Sequence, residues 1–126
     1  MSEPLSTWAD GLIRGIPQVP RCEKCGLWNW YPQPTCRGCQ GSDFTWQDIG
    51  TEGVVHTWTE VLRAIDSVDG LEPPYVVALV EPVQTPGVRI PMRAARGIGI
   101  GDRVVFEPVS TPAGPALEIS STGLLT

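Results

Sequence analysis

Basic side chains are scarce in this sequence, and that scarcity weighs against one large class of partners. The 126 residues include nine Lys and Arg against fourteen Asp and Glu, which gives a formal net charge of −5, and the only lysine is Lys24. Binding to a phosphate backbone depends on neutralising Lys and Arg side chains. The charge balance therefore disfavours a nucleic acid as the main partner.

Long apolar runs are also absent. No run approaches the roughly 18 residues that a membrane-spanning helix needs. The N-terminal stretch "MSEPLSTWADG" lacks the basic and then apolar pattern of a signal peptide. We therefore expect a soluble cytoplasmic protein, in whose reducing surroundings paired cysteines are metal ligands more often than disulfides.

The four cysteines form two C-x-x-C pairs separated by ten residues, Cys22 with Cys25 and Cys36 with Cys39. Each pair suits a tight turn that directs two thiolates at one ion, and a hairpin between them would complete a tetrahedral four-sulfur site. We predict one structural zinc per chain. Four protein ligands leave no open position for water, so the metal should stabilise the fold rather than catalyse a reaction.

Other interpretations of the cysteines stay open at this stage. Iron is one, because "CEKCG" resembles the first knuckle of rubredoxins, although "CRGCQG" lacks the proline and the following glycine usual in their second. An electron-transfer protein would then be red and a zinc protein colourless. Two disulfides or a thioredoxin-like redox pair are further alternatives.

Catalytic residues are hard to find in the remaining sequence. With the thiols assigned to a metal, the only histidine, His56, has no cysteine partner for nucleophilic acyl transfer. His56 lies within a strand-like segment, where a structural role is favoured over proton transfer. We predict no catalytic residue.

The rest of the chain has the pattern of a β protein. Thirteen prolines and fourteen glycines punctuate apolar runs that are rich in Val and Ile. Five segments read as strands: 53–62, 75–82, 87–94, 102–109 and 115–122. We predict a mostly β chain in which a short helical or extended segment (1–18) precedes a zinc ribbon (19–48) and a five-stranded OB-fold barrel (49–126), with an SH3-like barrel as the alternative.

This order of parts carries a family resemblance. A four-cysteine ribbon leads into "GVVHTWTEV", "PYVVALVE" and "GIGIGDRVVFEPV". The chain resembles the zinc-ribbon (rubredoxin-like) plus OB-fold family of thiolase-superfamily accessory proteins, long catalogued as a domain of unknown function. Many members have a longer helical lead-in, whereas "STWADGLIRGIPQVP" allows about two turns.

The resemblance implies a non-catalytic subunit that binds and stabilises a thiolase-like acyltransferase or retro-aldolase. Such enzymes act on carbon–carbon bonds of acyl-CoA, including those of steroid side chains. The expected assembly is a heterotetramer built on a partner homodimer. In it, this chain would interact with acyl-CoA indirectly, through the partner. The rival hypothesis is an OB-fold module that binds single-stranded nucleic acid, which would need a basic groove with stacking aromatic residues.

Two groups of residues are candidates for binding. Trp28 and Trp30 should share one face of the hairpin, and clusters rich in Trp and Tyr are typical of interfaces. The predicted partner surface comprises Trp8, Leu12, Trp28, Trp30 and Tyr31; packing of the tryptophans onto the chain's own barrel is the alternative. Arg89, Arg93 and Arg96, which with Arg103 are close in sequence, are candidates to contact a CoA phosphate, or else are solvated.

Overall fold

An N-terminal helix opens the fold. The computed structural model describes residues 3–63, 74–112 and 114–122, and helix α1 spans Glu3–Ile13. It is longer than the two turns expected. The amide of Ile16 donates to the carbonyl of Gly11 at 2.8 Å, and that of Gly15, at φ 80°, donates to the carbonyl of Leu12 at 3.1 Å. This pair of hydrogen bonds is a Schellman motif, so Gly15 ends the helix.

The ribbon follows as a small antiparallel sheet. Strand β1 (Gln18–Cys22) pairs with β2 (Phe44–Asp48), and Val19 lies opposite Gln47. The segment after the first cysteine pair lies along the other edge of β1: the Asn29 amide donates to the Pro20 carbonyl at 2.9 Å. The peptide bond between Trp30 and Tyr31 is cis. β1 is thus the central strand of the ribbon.

Five further strands form the barrel. They are β3 (Glu52–Val61), β4 (Tyr75–Pro82), β5 (Ile90–Ala94), β6 (Arg103–Thr111) and β7 (Gly114–Thr122). The barrel is closed in the order β3-β4-β5-β7-β6, and only the β5–β7 pairing is parallel. Closure removes the exposed strand edges. The predicted fold class is confirmed: the chain is mostly β, with a four-cysteine ribbon followed by a five-stranded barrel of the OB type.

The register of β3 is irregular at the single histidine. The register of β3 against β4 shifts between Val55 and Thr57, which is a β-bulge at His56. His56 is exposed, while Val55 is buried in the barrel.

One hydrophobic core joins the three parts of the chain. Most of its buried side chains come from the barrel strands, among them Val55, Val80 and Phe106. Leu12 of the helix and Val19 of the ribbon belong to the same cluster. The division of the chain at residues 18/19 and 48/49 into N-terminal segment, ribbon and barrel stays a prediction. Within the described ranges, no helix has the length and apolarity needed to cross a membrane.

Candidate metal centre and partner surface

The four cysteine sulfurs converge on one point of the ribbon. All four Sγ atoms lie within 4.8 Å of one another. The Cys22 and Cys39 sulfurs are 3.5 Å apart, and those of Cys25 and Cys36 are 3.6 Å apart. Tetrahedral zinc with Zn–S bonds of about 2.3 Å places its sulfurs about 3.8 Å apart. The number and spacing of the thiols therefore fit a zinc-binding site.

The two cysteine pairs are built by the same backbone turn. In the first, the Gly26 amide donates to the Cys22 carbonyl at 2.9 Å, and the Cys22 amide donates to the Leu27 carbonyl at 2.9 Å. In the second, the Gln40 amide donates to the Cys36 carbonyl at 2.9 Å, and the Cys36 amide donates to the carbonyl of Gly41 at 2.7 Å. Each turn brings its two sulfurs to the same side, as the C-x-x-C spacing predicts.

Hydrogen bonds to sulfur favour the thiolate form at two ligands. The Cys25 amide, 3.5 Å from the Cys22 sulfur, lowers the pKa of Cys22. The backbone amide of Cys39 and the side-chain amide of Asn29 lower the pKa of Cys36 to about 6. At Cys25 the Leu27 amide lowers the pKa, but burial and the neighbouring Cys36 and Cys22 thiols outweigh it and raise the value to about 11. A metal ion must therefore displace a proton at Cys25 when it binds.

Asn29 is a residue of the cysteine site that sequence reasoning missed. Its side chain is 1% exposed and lies between the two cysteine turns. Its amide nitrogen donates to the Leu27 carbonyl at 3.1 Å and to the Cys36 sulfur at 3.5 Å. The signal in the sequence is slight: a lone amide residue between two tryptophans.

The structure brings together three of the five residues predicted for partner binding. The ring centroids of Trp8 and Trp30 are 4.7 Å apart in an edge-on contact, and those of Trp30 and Tyr31 are 5.5 Å apart. Tyr31 is 55% exposed, and both tryptophans are half-buried. We call Trp8, Trp30 and Tyr31 the aromatic surface.

The other two residues of that prediction lie elsewhere. Trp28 is covered by the guanidinium of Arg21, whose central carbon is 4.8 Å from the ring centroid. Leu12 is 4% exposed and packs in the core, so it offers a partner almost no surface. Trp8, Trp28 and Trp30 also pack partly against the core. Intramolecular packing thus accounts for part of the tryptophan area.

The arginines predicted to contact a phosphate lie along β5 rather than in one cluster. Arg89 precedes the strand and Arg96 follows it, while Arg93 lies within it opposite Glu118 of β7. Arg89 is 3.6 Å from Glu81, and Arg96 forms an ion pair with Glu60. The local positive charge is therefore largely offset by neighbouring carboxylates.

Comparison with known proteins supports both the ribbon and the fold. Residues 19–45 match the family described as ChsH2, rubredoxin-like zinc ribbon domain. A search of curated proteins finds no match.

Two solved structures share the fold. One, described as the Ltp2-ChsH2(DUF35) aldolase, aligns over 94% of this chain and 94% of its own with a TM-score of 0.80 and 22% identity. Another, a protein of unknown function from the DUF35 family of Sulfolobus solfataricus, aligns over 95% of this chain and 87% of its own with a TM-score of 0.64 and 16% identity. Residues 19–45 therefore match a rubredoxin-like zinc ribbon, and the chain as a whole has the ribbon-and-barrel fold of the DUF35 structures.

Proposed function

We propose that this chain is a non-catalytic subunit of a thiolase-like enzyme that makes or breaks carbon–carbon bonds in acyl-CoA, with retro-aldol cleavage of a steroid side chain as one such reaction. The observation that carries the proposal is the alignment over 94% of both chains with a structure described as the Ltp2-ChsH2(DUF35) aldolase. A match over both the ribbon and the barrel is more informative than a match to either part, because each part alone occurs in proteins of unrelated function.

The distribution of reactive groups supports a role without chemistry. All four thiols lie together in the ribbon, where one structural zinc per chain would take all of them as ligands. His56 is exposed on the barrel, and the side-chain N–H that donates to a cysteine sulfur is the amide of Asn29, which contacts Cys36, rather than an imidazole. A Cys–His pair for acyl transfer is therefore not assembled among the described residues.

The aromatic surface supports a protein partner. Exposed Trp and Tyr side chains are enriched at interfaces, because they bury a large area at a small cost in conformational entropy. Tyr31 retains more than half of its surface, and Trp30 and Trp8 extend the same apolar area towards the helix. We propose that this surface contacts the thiolase-like subunit in a cytoplasmic heterotetramer built on the partner's homodimer.

The arginines of the barrel are a second, smaller part of the proposal. A guanidinium has five N–H donors, and one carboxylate engages two of them at most. Arg96 therefore keeps donors for a CoA phosphate although it pairs with Glu60. The pairing and the net charge of −5 weigh against the rival function, since a nucleic-acid groove needs unpaired positive charge.

The test is reconstitution with a candidate partner. The thiolase-like protein encoded nearest to this chain is purified alone, this chain is purified alone, and each is assayed with acyl-CoA substrates before and after mixing. We expect no turnover by this chain, activity in the mixture, and a complex with the mass of two chains of each kind. Turnover by this chain after removal of every other protein, or two proteins that neither bind nor affect each other, would overturn the proposal.

A further inference from the structure

A single buried side chain connects the two halves of the cysteine site. Asn29 lies in the hairpin between the cysteine pairs, and its side-chain amide uses both ends. The nitrogen end donates to the Leu27 carbonyl and to the Cys36 sulfur, and the oxygen end accepts from the Arg37 amide at 2.9 Å. Burial without these partners would cost free energy, because an unpaired buried amide loses its bonds to water.

The contact with Leu27 ties Asn29 to the first cysteine turn. The Leu27 carbonyl also accepts the amide of Cys22, a metal ligand, at 2.9 Å. The position of Asn29 is therefore coupled to the backbone that directs the Cys22 sulfur.

The contact with Arg37 ties the same side chain to the second turn. At the equivalent position of the first turn, the Glu23 amide donates to a main-chain carbonyl, that of Asp43, at 3.0 Å. At the second turn the Arg37 amide donates to the Asn29 side-chain oxygen at 2.9 Å, so that oxygen takes the place of the Asp43 carbonyl. The two turns share their other backbone hydrogen bonds, and they differ in that a side chain accepts this amide in the second turn where a main-chain carbonyl accepts it in the first.

The contact with Cys36 reaches a ligand atom directly. The buried Cys36 sulfur accepts from the Gly38 amide at 3.3 Å and from the Asn29 side chain at 3.5 Å. Hydrogen bonds to a ligand fix its orientation and disperse the negative charge that the metal also shares. Loss of such a bond changes both the metal affinity and the electronic state of the bound sulfur.

We propose that Asn29 is the positioning residue of the metal site, which orients Cys36 and holds the two cysteine turns at the separation that one ion requires. The proposal concerns binding of the metal ion by the four cysteines, so it does not depend on the proposed partner function. The donor to the Asn29 oxygen is the backbone N–H of Arg37; proline has no N–H, so a proline at position 37 would leave that oxygen without its donor.

The first test measures metal binding by the full chain. Asn29→Leu keeps a similar volume and removes every polar contact, and Asn29→Asp keeps an oxygen for the Arg37 amide and removes both N–H donors. Zinc affinity is measured by competition with a chromophoric chelator, and the absorption of the cobalt(II)-loaded chain reports the sulfur-to-metal charge transfer. We expect zinc affinity to fall about 10- to 100-fold in both variants, with a shifted charge-transfer band in Asn29→Asp.

The control is Thr45→Val, which removes the 2.7 Å hydrogen bond from the Thr45 hydroxyl to Glu23 in the same ribbon without touching a sulfur. It should leave affinity and spectrum unchanged. A purely structural role for Asn29 would lower stability without moving the cobalt band. Wild-type affinity with an unchanged band in both Asn29 variants would overturn the proposal.

A second test begins with two Arg37 variants that leave Asn29 intact, so their comparison holds even where the Asn29 variants do not fold. Arg37→Ala keeps the backbone N–H and Arg37→Pro removes it. We expect Arg37→Pro to weaken zinc binding about tenfold more than Arg37→Ala, and we expect this extra loss to disappear in the Asn29→Leu background. Equal affinities of the two Arg37 variants, or losses that simply add in the double variant, would contradict the proposed coupling.

Discussion

Gln40 occupies, in the second cysteine turn, the left-handed backbone position that Gly26 occupies in the first. Their φ angles are 65° and 78°, and the amide of each donates to the carbonyl of the cysteine four residues earlier at 2.9 Å. Gln40 is the one residue other than glycine with positive φ among the described residues. Residues with a Cβ pay roughly 1–2 kcal/mol in this conformation. The repeated turn thus carries a conformational cost in its second copy alone.

That difference predicts opposite effects on stability when a glycine is introduced at position 40 and when the glycine at position 26 is replaced. Gln40→Gly should raise the free energy of unfolding of the metal-loaded chain by about 0.5–1 kcal/mol, because relief of the left-handed strain exceeds the added freedom of the unfolded chain. Gly26→Ala should lower it by about 1 kcal/mol, since the nearest atom to its new Cβ is 3.8 Å away and only the backbone is strained. Denaturant unfolding measures both. Gln40→Ala serves as the control, and a gain equal to that of Gln40→Gly would show that strain at this position is not the cause.

Removal of the metal should unfold the ribbon and spare most of the barrel. The cysteine turns are held by the sulfurs and a few backbone hydrogen bonds, whereas most of the buried core lies among the barrel strands, around Val80 and Phe106. We expect one zinc per chain by elemental analysis, and loss of the near-ultraviolet signal of Trp28 and Trp30 on chelation or in Cys36→Ser. Zinc added after chelation should restore the signal, but not in the Cys36→Ser chain. A ribbon that keeps its full signal without metal would contradict a structural role for the ion.

The sequence allowed the elements to be predicted better than their contacts. The five barrel strands follow from apolar runs bounded by Gly, Pro and Asp, and the metal site follows from spacing, because both signals are local. The N-terminal segment was expected to allow about two helical turns, whereas the helix runs through Gly11 and ends at Gly15. The arginines were predicted as candidates to contact a phosphate because the sequence does not show their acidic partners. Glu60, which pairs with Arg96, lies 36 residues away along the chain. Asn29 escaped notice for the same reason: its role depends on a hairpin that folds back between two turns.

Close packing between β3 and β4 predicts a glycine that cannot be replaced. A Cβ on Gly53 would lie 2.5 Å from Cγ1 of Val80 and 2.9 Å from the Glu81 carbonyl, closer than any normal contact. Gly53→Ala should therefore destabilise the barrel by about 1–3 kcal/mol, as overpacking does in other cores. Thermal unfolding measures it, with zinc content as a check that the ribbon is intact. Gly99→Ala is the matched control, since its Cβ would meet the nearest atom at an ordinary 3.5 Å; equal losses in the two variants would refute the packing argument.

The proposed partner contact predicts that Tyr31 contributes more to binding than to folding. Tyr31 is more than half exposed, so Tyr31→Ala should change the free energy of unfolding little, yet it should weaken binding of the thiolase-like subunit by about 2 kcal/mol if the aromatic surface is central to the interface. Trp30→Ala should weaken binding by at least as much, but it also removes the contact with Trp8 and should lower stability.

Titration of the partner by calorimetry measures the affinity, and zinc content reports folding of the ribbon. Ile100→Ser is the control, because Ile100 is 70% exposed, lies in the turn before β6 and is not one of the three residues of the aromatic surface. Unchanged affinity in the Tyr31→Ala, Trp30→Ala double variant would contradict the proposed contact and would mean that the three aromatic residues serve packing within the chain.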